Sequence, residues 1–273
     1  LGGGVIGMEF VSLFSTLGVD VTVVEMLPKI LGPMDEELST ELQQAFEKRK
    51  VKFHLSTKVT AVRDGKVIAE HEGEQLEIPF DKLLVSVGRR AVTDGLGLET
   101  VGVELQRGAI VVDEHLETSV PGIYAVGDVN GVSMLAHTAA REGQVAVHHI
   151  TDYPDAMSYR AIPGIVYTDP EIASVGQTEQ ELRTAGVDYQ VHRVPMSLSG
   201  RFVIENEQGN GFCKLLTDSE GVILGAHMLG NGSSEILVPA IMAVEQRMTL
   251  TELSRIVFPH PTVSEIVRVA ALS

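Results

Sequence analysis

Cysteine and aromatic residues are scarce in this chain. Its 273 residues include one cysteine, Cys213, and no tryptophan, and aromatic residues make up 5%. A single cysteine excludes an intrachain disulfide, which favours a reducing compartment, the cytoplasm. The sequence also lacks any run of about 18 to 20 uncharged apolar residues, the length that a membrane-spanning helix needs. We therefore predict a cytoplasmic protein that does not bind membranes.

Basic residues are few relative to acidic ones. The 21 lysines and arginines stand against 37 aspartates and glutamates, which gives a formal net charge of −16. Such a charge repels phosphate backbones and anionic lipids, so it argues against a nucleic-acid partner. Hydrophobic residues make up 44% of the chain, which is typical of a globular protein. We expect small molecules or other proteins as partners.

The first residues, LGGGVIG, form a glycine turn in which Gly2, Gly4 and Gly7 match the pattern G-x-G-x-x-G. This pattern predicts a tight turn and a helix whose N-terminal amides face a pyrophosphate. Glu25 ends the next apolar run, VDVTVVE, about 20 residues on, where a carboxylate binds the ribose hydroxyls of NAD and repels a 2′-phosphate. A glycine turn in an ordinary α/β unit is the alternative. The combination favours an NAD site.

Only Leu1 precedes the glycine turn, although a parallel sheet needs a strand at this point. We therefore expect this chain to be the C-terminal part of a longer protein.

Helical and β-patterns alternate in the first half of the chain. The segment after the turn and MDEELSTELQQAFEKRK predict two helices, the second with Leu38, Leu42 and Phe46 on one face. Short β-segments follow, with a hairpin signal at Asp64 and Gly65. DKLLVSVG and GIYAV also read as strands, and AHTAAREGQVAVHHI as a helix.

The second half of the chain groups several strand patterns (IASVG, YQVHRV, GFCKLLT and VILGAHML) with helices, which is typical of an α+β domain. The fold class that we predict is α/β. A Rossmann-like nucleotide-binding unit (1–115) is followed by a segment that ends in a linker (116–157) and by an α+β domain (158–273).

Two further segments carry candidate site residues. GIYAVGDV delivers Asp128 after a strand pattern and a glycine, which suits a ligand with sugar-like hydroxyls, although a simple Gly-Asp turn fits equally well. FPHPTVSE holds His260 between two prolines, with Glu265 five residues later. This pair is either an acid–base dyad or a loop before a helix that Thr262 and Glu265 cap.

Seven motifs occur in order along the whole chain: GGGVIGMEF, VVEMLPKIL, VSVGRRAVTDGLGLE, GIYAVGDV, MLAHTAAREG, VYTDPEIASVG and FPHPTVSE. Together they resemble the FAD-dependent pyridine nucleotide–disulfide oxidoreductases, in particular the dihydrolipoyl dehydrogenase branch. The resemblance implies an enzyme with FAD and NAD as cofactors, in which residues 1–115 form the NAD-binding domain, 116–157 part of the FAD-binding domain with a linker, and 158–273 the dimerisation domain. It also implies a homodimer whose protein partner is the lipoyl-bearing protein of a 2-oxo acid dehydrogenase complex.

The resemblance also implies roles for individual residues. Those expected to contact NAD are Gly2, Gly4, Ile6, Gly7, Glu9, Glu25, Val59 (near the adenine) and Gly88 (near the nicotinamide, as is Glu9). Those expected to contact FAD are Asp128, at the ribityl or phosphate region, and Met134, Leu135, Ala136 and His137, along the isoalloxazine. His260 would be the active-site base, oriented by Glu265 and serving the other subunit of the dimer.

The chain departs from the family pattern in lacking the FAD glycine fingerprint and the C-x-x-x-x-C redox pair. We expect Cys213 to be a buried apolar residue, and this chain by itself to be inactive and to hold FAD weakly. We predict no metal site, because the adjacent His148 and His149 face different sides of a helix. Two alternatives stay open: a related disulfide or metal reductase, and a non-catalytic dimerisation or NAD-binding module.

Overall fold

The structure is a computed structural model that describes residues 1–207 and 209–273. The chain divides into two compact units. Unit 1 combines Leu1–Val87 with Arg160–Ser273, and unit 2 is Gly88–Tyr159.

The helices and strands are numbered here in chain order. The helices are α1 (Val5–Thr16), α2 (Glu36–Lys48), α3 (Leu98–Val101), α4 (Ala136–Ile150), α5 (Glu179–Ala185), α6 (Gly200–Glu205), α7 (Ser233–Ile236), α8 (Val238–Glu245), α9 (Leu250–Ser254) and α10 (Glu265–Ala271). The strands are β1 (Thr22–Val24), β2 (Lys52–His54), β3 (Thr57–Arg63), β4 (Lys66–His71), β5 (Glu74–Pro79), β6 (Leu105–Gln106), β7 (Ala109–Ile110), β8 (Gly164–Val166), β9 (Ile172–Gly176), β10 (Gln190–Pro195), β11 (Phe212–Thr217) and β12 (Ile223–Leu229). Within residues 1–207 and 209–273, no helix has the length and apolar character needed to cross a membrane.

The N-terminal part of unit 1 has the predicted alternation of helix and strand. Helix α1 buries Met8 and Val11 and ends before Gly18, whose positive φ of 80° suits a residue without a Cβ. Strand β1 pairs in parallel with β2. The predicted hairpin joins β3 and β4 through Asp64 and Gly65, both with positive φ as a type I′ turn requires. These predictions are confirmed.

The prediction that DKLLVSVG and GIYAV form strands is wrong. In the first segment, Leu1 N donates to Leu84 O (2.7 Å) and Ser86 N donates to Leu1 O (2.8 Å). In the second segment, Tyr124 forms an isolated bridge with Glu117. Neither segment forms a ladder, which needs consecutive hydrogen bonds with a neighbouring strand.

The C-terminal part of unit 1 is an antiparallel five-stranded sheet in the order β10-β11-β12-β9-β8, with helices packed against it. Every residue of β11 is buried, including Cys213, and burial raises the pKa of its thiol to about 12. The expectation that Cys213 is a buried apolar residue is confirmed. Pro239 lies in the first turn of α8, just after the break that separates α7 from α8, because proline is tolerated only where its missing amide is not needed.

A buried lysine joins the two sequence segments of unit 1. The Lys214 ammonium group on β11 lies close to three carboxylates, those of Asp35 (2.7 Å), Glu37 (3.0 Å) and Glu179 (2.6 Å). Burial alone would lower the pKa of Lys214, but its hydrogen bonds to Asp35 and Glu179 raise it, so the amine stays charged. The three carboxylates lie close enough together to hold a cation. The ammonium group supplies that charge from within the chain.

We expect Lys214→Met to destabilise the protein strongly. The substitution removes the ammonium group from buried Asp35 and from Glu179, while Arg193 still pairs with Glu37, and breaking a buried ion pair costs about 3 to 5 kcal/mol. Lys66→Met is the matched control, since Lys66 pairs with Glu77 at 2.8 Å with both side chains nearly half exposed. Such pairs contribute about 0 to 1 kcal/mol. Urea unfolding of the purified proteins measures both values, and similar losses in the two variants would contradict this account.

Candidate cofactor and acid–base sites

The glycine turn before α1 is fixed by close backbone contacts. Gly2 has a φ of 98°, and its amide donates to Val24 O on β1 (3.0 Å). A Cβ atom at Gly2 would lie 2.3 Å from Ser86 O, and one at Gly7 would lie 2.2 Å from Gly2 O. Both distances are far below van der Waals contact. Only glycine fits at these two positions, which is the close approach that the pattern predicts.

Gly4, by contrast, faces open space. A Cβ atom there would meet nothing within 4 Å, and its φ of −74° is allowed to any residue. Gly4 is the N-cap of α1, which has no side-chain cap and no acidic residue in its first turn. The positive end of the α1 dipole therefore opens onto a space that an anion could fill.

Glu25 follows β1 and lies against the glycine turn. Its carboxylate accepts hydrogen bonds from Gly3 N (2.5 Å) and Leu27 N (2.7 Å), so it bridges the turn and the strand end. Val59 on β3 packs against the apolar cluster that includes Val24. The structure thus brings Gly2, Gly4, Gly7, Glu25 and Val59 into one region of unit 1.

The two remaining predicted residues of α1 lie on its first turns. Ile6 is 43% exposed. The Glu9 carboxylate accepts a hydrogen bond from Tyr167 N (3.0 Å), just after β8. Glu9 is therefore tied to the sheet of the C-terminal part of unit 1.

Unit 2 holds Gly88 and the residues predicted to contact FAD. Gly88 has a φ of 122°, and a Cβ atom there would meet nothing within 4 Å. Asp128 lies in the 3-10 turn Gly127–Asn130, and its carboxylate accepts a hydrogen bond from Arg89 Nη2 (2.5 Å). The Arg89 and Asp128 side chains are 57% and 43% exposed, so this pair is open to solvent.

The other predicted FAD residues form the start of α4. Leu135 is the N-cap and has extended backbone angles, with Met134 just before it and Ala136 and His137 in the first turn. The turn that carries Asp128 contacts α4. Unit 2 therefore contains both Asp128 and the start of α4, in two elements that contact each other.

Sequence reasoning missed Glu142, the fully buried carboxylate of unit 2. It lies on α4 and accepts hydrogen bonds from Gly127 N (2.5 Å), Asn130 Nδ2 (3.0 Å) and Tyr159 OH (2.7 Å). A signal was present in the sequence: Glu142 shares the helix face that buries Thr138 and Ala146, at spacings of four residues. A glutamate on such a buried face needs hydrogen-bond donors inside the protein, because burying an unpaired carboxylate is costly.

His260 and Glu265 form a hydrogen-bonded pair in unit 1. The distance from His260 Nδ1 to Glu265 Oε1 is 2.8 Å, and Glu265 Oε2 accepts from Thr262 N (2.8 Å). Thr262 N and then the His260 imidazole lower the pKa of Glu265, so the carboxyl group is ionised and can only accept. Nδ1 is therefore the protonated nitrogen, and the acceptor nitrogen Nε2 belongs to a side chain that is 81% exposed.

The predicted capping box at Thr262 is only half formed. The N-cap of α10 is Ser264, without a side-chain cap, and the Thr262 hydroxyl bonds to Pro259 O and Ser264 Oγ. The part that exists is the bond from Thr262 N to Glu265. The box is incomplete because α10 begins only at Glu265, so one carboxylate both fixes the loop and orients His260.

His148 and His149 have different partners, as predicted from their adjacent positions on α4. His148 Nδ1 lies 2.7 Å from Asp155 Oδ2, and His149 Nδ1 lies 2.8 Å from Tyr124 OH. The two rings therefore face different sides of the helix.

The family models match both parts of the chain. Residues 1–143 match the pyridine nucleotide-disulphide oxidoreductase family, and residues 162–271 match the dimerisation domain of that family. The chain therefore belongs to the pyridine nucleotide-disulphide oxidoreductase family. The predicted family and fold class are confirmed: an α/β nucleotide-binding part precedes an α+β dimerisation domain.

Two similar proteins are both dihydrolipoyl dehydrogenases. The chain is 39% identical over 280 residues to dihydrolipoyl dehydrogenase of Cupriavidus necator and 41% identical over 283 residues to mitochondrial dihydrolipoyl dehydrogenase of Dictyostelium discoideum. All of the chain is covered in both cases, but only 59% and 58% of the relatives. The chain thus spans less than two thirds of the curated relatives it matches.

Solved structures agree with the fold. LpdA from Mycobacterium tuberculosis has a TM-score of 0.88 at 31% identity, covering 99% of this chain and 60% of that protein. The HOCl-induced flavoprotein disulfide reductase RclA from Escherichia coli has a TM-score of 0.87 at 28% identity, covering 100% and 63%.

The glycine turn yields a stability prediction. Gly7→Ala should destabilise the protein by about 1 to 3 kcal/mol or more, because its Cβ would overlap Gly2 O. Gly4→Ala is the matched control and should change stability by less than about 1 kcal/mol, since its Cβ enters open space at an allowed φ. Urea unfolding of both variants tests this. A Gly7→Ala protein as stable as Gly4→Ala would show that the turn is not closely packed.

Proposed function

We propose that this chain supplies the NAD-binding part, a portion of the FAD-binding part and the dimerisation domain of a dihydrolipoyl dehydrogenase. In this reaction the substrate dithiol loses two electrons and two protons. NAD takes up the electrons and one proton as hydride, and the other proton is released. The observation that carries the proposal is the 2.8 Å hydrogen bond between His260 Nδ1 and Glu265, which leaves Nε2 of the neutral imidazole as the proton acceptor.

The domain assignment follows the same proposal. Residues 1–115 form the NAD-binding domain, 116–157 the FAD-binding portion with its linker, and 158–273 the dimerisation domain. The family matches to residues 1–143 and 162–271 support this order of functions.

The residues around the glycine turn fit NAD. The open space at Gly4 and the uncapped start of α1 suit a pyrophosphate, beside Gly2 and Gly7. Glu25 would exchange its hydrogen bond from the Gly3 amide for the ribose hydroxyls. Val59 would border the adenine, and Ile6 and Glu9 the rest of the cofactor.

The residues of unit 2 fit one side of an FAD site. Asp128 presents a half-exposed carboxylate for the ribityl or phosphate region, and α4 begins beside its turn. Met134, Leu135, Ala136 and His137 would contact the isoalloxazine. Flavin and nicotinamide, when bound, provide the hydride chemistry, while the protein binds and orients them.

The His260–Glu265 pair would accept the proton that the dithiol substrate loses. A thiol must lose its proton to attack a disulfide, because thiolate is the nucleophile, and imidazole is a suitable acceptor near neutral pH. Glu265 would stabilise the imidazolium that forms on His260. The buried Cys213, whose pKa is raised to about 12, cannot serve as the nucleophile, so the redox disulfide belongs to another part of the enzyme.

The exposed position of His260 supports a role toward a second subunit. An imidazole that is 81% exposed in a dimerisation domain can serve a flavin and disulfide across a two-fold interface. We therefore propose a homodimer whose partner is the lipoyl-bearing protein of a 2-oxo acid dehydrogenase complex. The single cysteine supports a reducing location such as the cytoplasm.

The similarity to RclA favours one alternative, a reductase of the same family with a different substrate. Assays of the intact enzyme with dihydrolipoamide and with other disulfides separate the two candidates.

In the intact enzyme, His260→Gln should slow dihydrolipoamide oxidation by about 100-fold or more, because general-base catalysis of this kind contributes ~10² or more. Glu265→Gln should have a smaller effect in the same direction. Oxidation of NADH by an artificial acceptor bypasses the dithiol step and should persist in both variants. Steady-state assays with each substrate measure the two activities.

His192→Gln is the matched control, since His192 lies in the same domain and has hydrogen bonds of its own, to Thr217 and Ser273. It should keep full dithiol turnover. If His260→Gln left dithiol turnover unchanged, His260 would not be the base, and Glu265 would serve only to fix the loop through Thr262 N.

The proposed ribose contact predicts selectivity for NADH over NADPH. A 2′-phosphate beside Glu25 adds like-charge repulsion and places acceptors opposite acceptors. Binding titrations of the intact enzyme should show much weaker affinity for NADPH, and Glu25→Gln should narrow the difference. Glu74→Gln, on the exposed strand β5, serves as the control and should leave selectivity unchanged. Equal affinities in the unmodified enzyme would refute the role of Glu25.

A further inference from the structure

Glu142 is a buried carboxylate that the cofactor contacts described above do not use. It is 0% exposed. One oxygen accepts hydrogen bonds from Gly127 N (2.5 Å) and Asn130 Nδ2 (3.0 Å), the two ends of the turn that carries Asp128. The other oxygen accepts from Tyr159 OH (2.7 Å).

A buried carboxylate is stable only when hydrogen-bond donors occupy its oxygens. Burying an unpaired polar or charged group costs several kcal/mol, whereas hydrogen bonds to a charged acceptor are the strong ones. Burial and then the bond to Glu142 raise the pKa of Tyr159, so its phenol stays protonated and remains a donor. Glu142 therefore has three donors around two oxygens, and two of these donors belong to the turn.

The same helix also restrains the turn by contact. Gly127 has a φ of 78°, and a Cβ atom there would lie 3.3 Å from Ala139 Cβ, one helical turn before Glu142. At the other end, Gly131 has a φ of 71°, and a Cβ atom would lie 2.7 Å from Ala109 Cβ on β7. The turn between these glycines has little freedom to shift, so Asp128 has a defined position relative to α4.

We propose that Glu142 is a positioning residue of the flavin site: it holds the turn Gly127–Asn130 against α4 and so sets Asp128 relative to the start of that helix. This inference rests on the proposed function, since it assumes that Asp128 and the start of α4 contact FAD. Removing the carboxylate takes the acceptor away from Gly127 N and leaves Asn130 Nδ2 with only its long hydrogen bond to Ala125 O (3.5 Å). The turn must then open to find other partners, and Asp128 moves with it.

The test uses the apo form of the intact enzyme and titrates it with FAD, following flavin fluorescence. Glu142→Leu removes the acceptor at similar volume, and Glu142→Gln keeps one carbonyl oxygen for the turn. Asp113→Leu is the matched control, because Asp113 also accepts from turn amides in unit 2, those of His115 (2.8 Å) and Glu117 (3.0 Å), in a turn without site residues. Thermal unfolding of each apoenzyme is measured alongside.

We expect Glu142→Leu to weaken FAD binding by about 10- to 100-fold, the loss that one or two hydrogen bonds to a charged group imply. Glu142→Gln should bind FAD with an affinity close to that of the unmodified enzyme, because its carbonyl oxygen still accepts from the turn. Asp113→Leu should lower the unfolding temperature without changing the FAD dissociation constant. A purely structural Glu142 would behave like Asp113, with lower stability and unchanged affinity, and that result would overturn the inference.

Tyr159→Phe keeps the proposal testable if Glu142→Leu does not fold. This variant removes a single hydroxyl from the network and should weaken FAD binding by about threefold or more. Unchanged affinity in Tyr159→Phe would count against the inference. If the unmodified intact enzyme binds no FAD, the proposed function itself is wrong, which separates the two failures.

Discussion

The buried ion cluster at Lys214 is the interaction on which the rest of unit 1 depends. It joins Asp35, at the start of α2, to β11, 179 positions later in the chain. Taking these charges out of water is costly, and the cost is offset only because the ammonium group meets three carboxylates at once. Both the glycine turn and the His260 loop belong to the unit that this cluster holds together.

Carboxylates that accept from backbone amides recur at each candidate site. Glu25 binds Gly3 N beside the glycine turn, Glu142 binds Gly127 N beside Asp128, and Glu265 binds Thr262 N beside His260. Loops carry backbone donors that have no partner in a helix or a ladder, and a carboxylate satisfies them strongly. Part of the acidic excess of this chain therefore shapes its loops. Charge alone would suggest only solubility and repulsion of anions.

The His260 loop illustrates how one side chain can combine two functions. The sequence left open whether Glu265 caps a helix or orients the imidazole. In the structure, the Glu265 carboxylate contacts both Thr262 N and His260 Nδ1. Phe258 and Val263 pack against the core on either side of the loop. The imidazole is thus exposed while its backbone is anchored, which is compatible with the base that the proposed function assigns to His260.

The sequence alone determined helices α1, α2 and α4, the hairpin at Asp64, the α+β character of the second half and the position of the glycine turn, because these follow from local periodicity and backbone sterics. It did not determine that DKLLVSVG and GIYAV fail as strands, since pairing depends on how many residues a neighbour offers. Nor did it identify Lys214 and Glu142 as buried. The strand pattern around Lys214 is the same whether the lysine faces water or an ion partner, and the helix face that Glu142 shares with Thr138 and Ala146 does not show which groups satisfy a buried carboxylate. Only the tertiary structure brings these partners together, up to 179 positions apart for Lys214, and so decides that the two charges are buried.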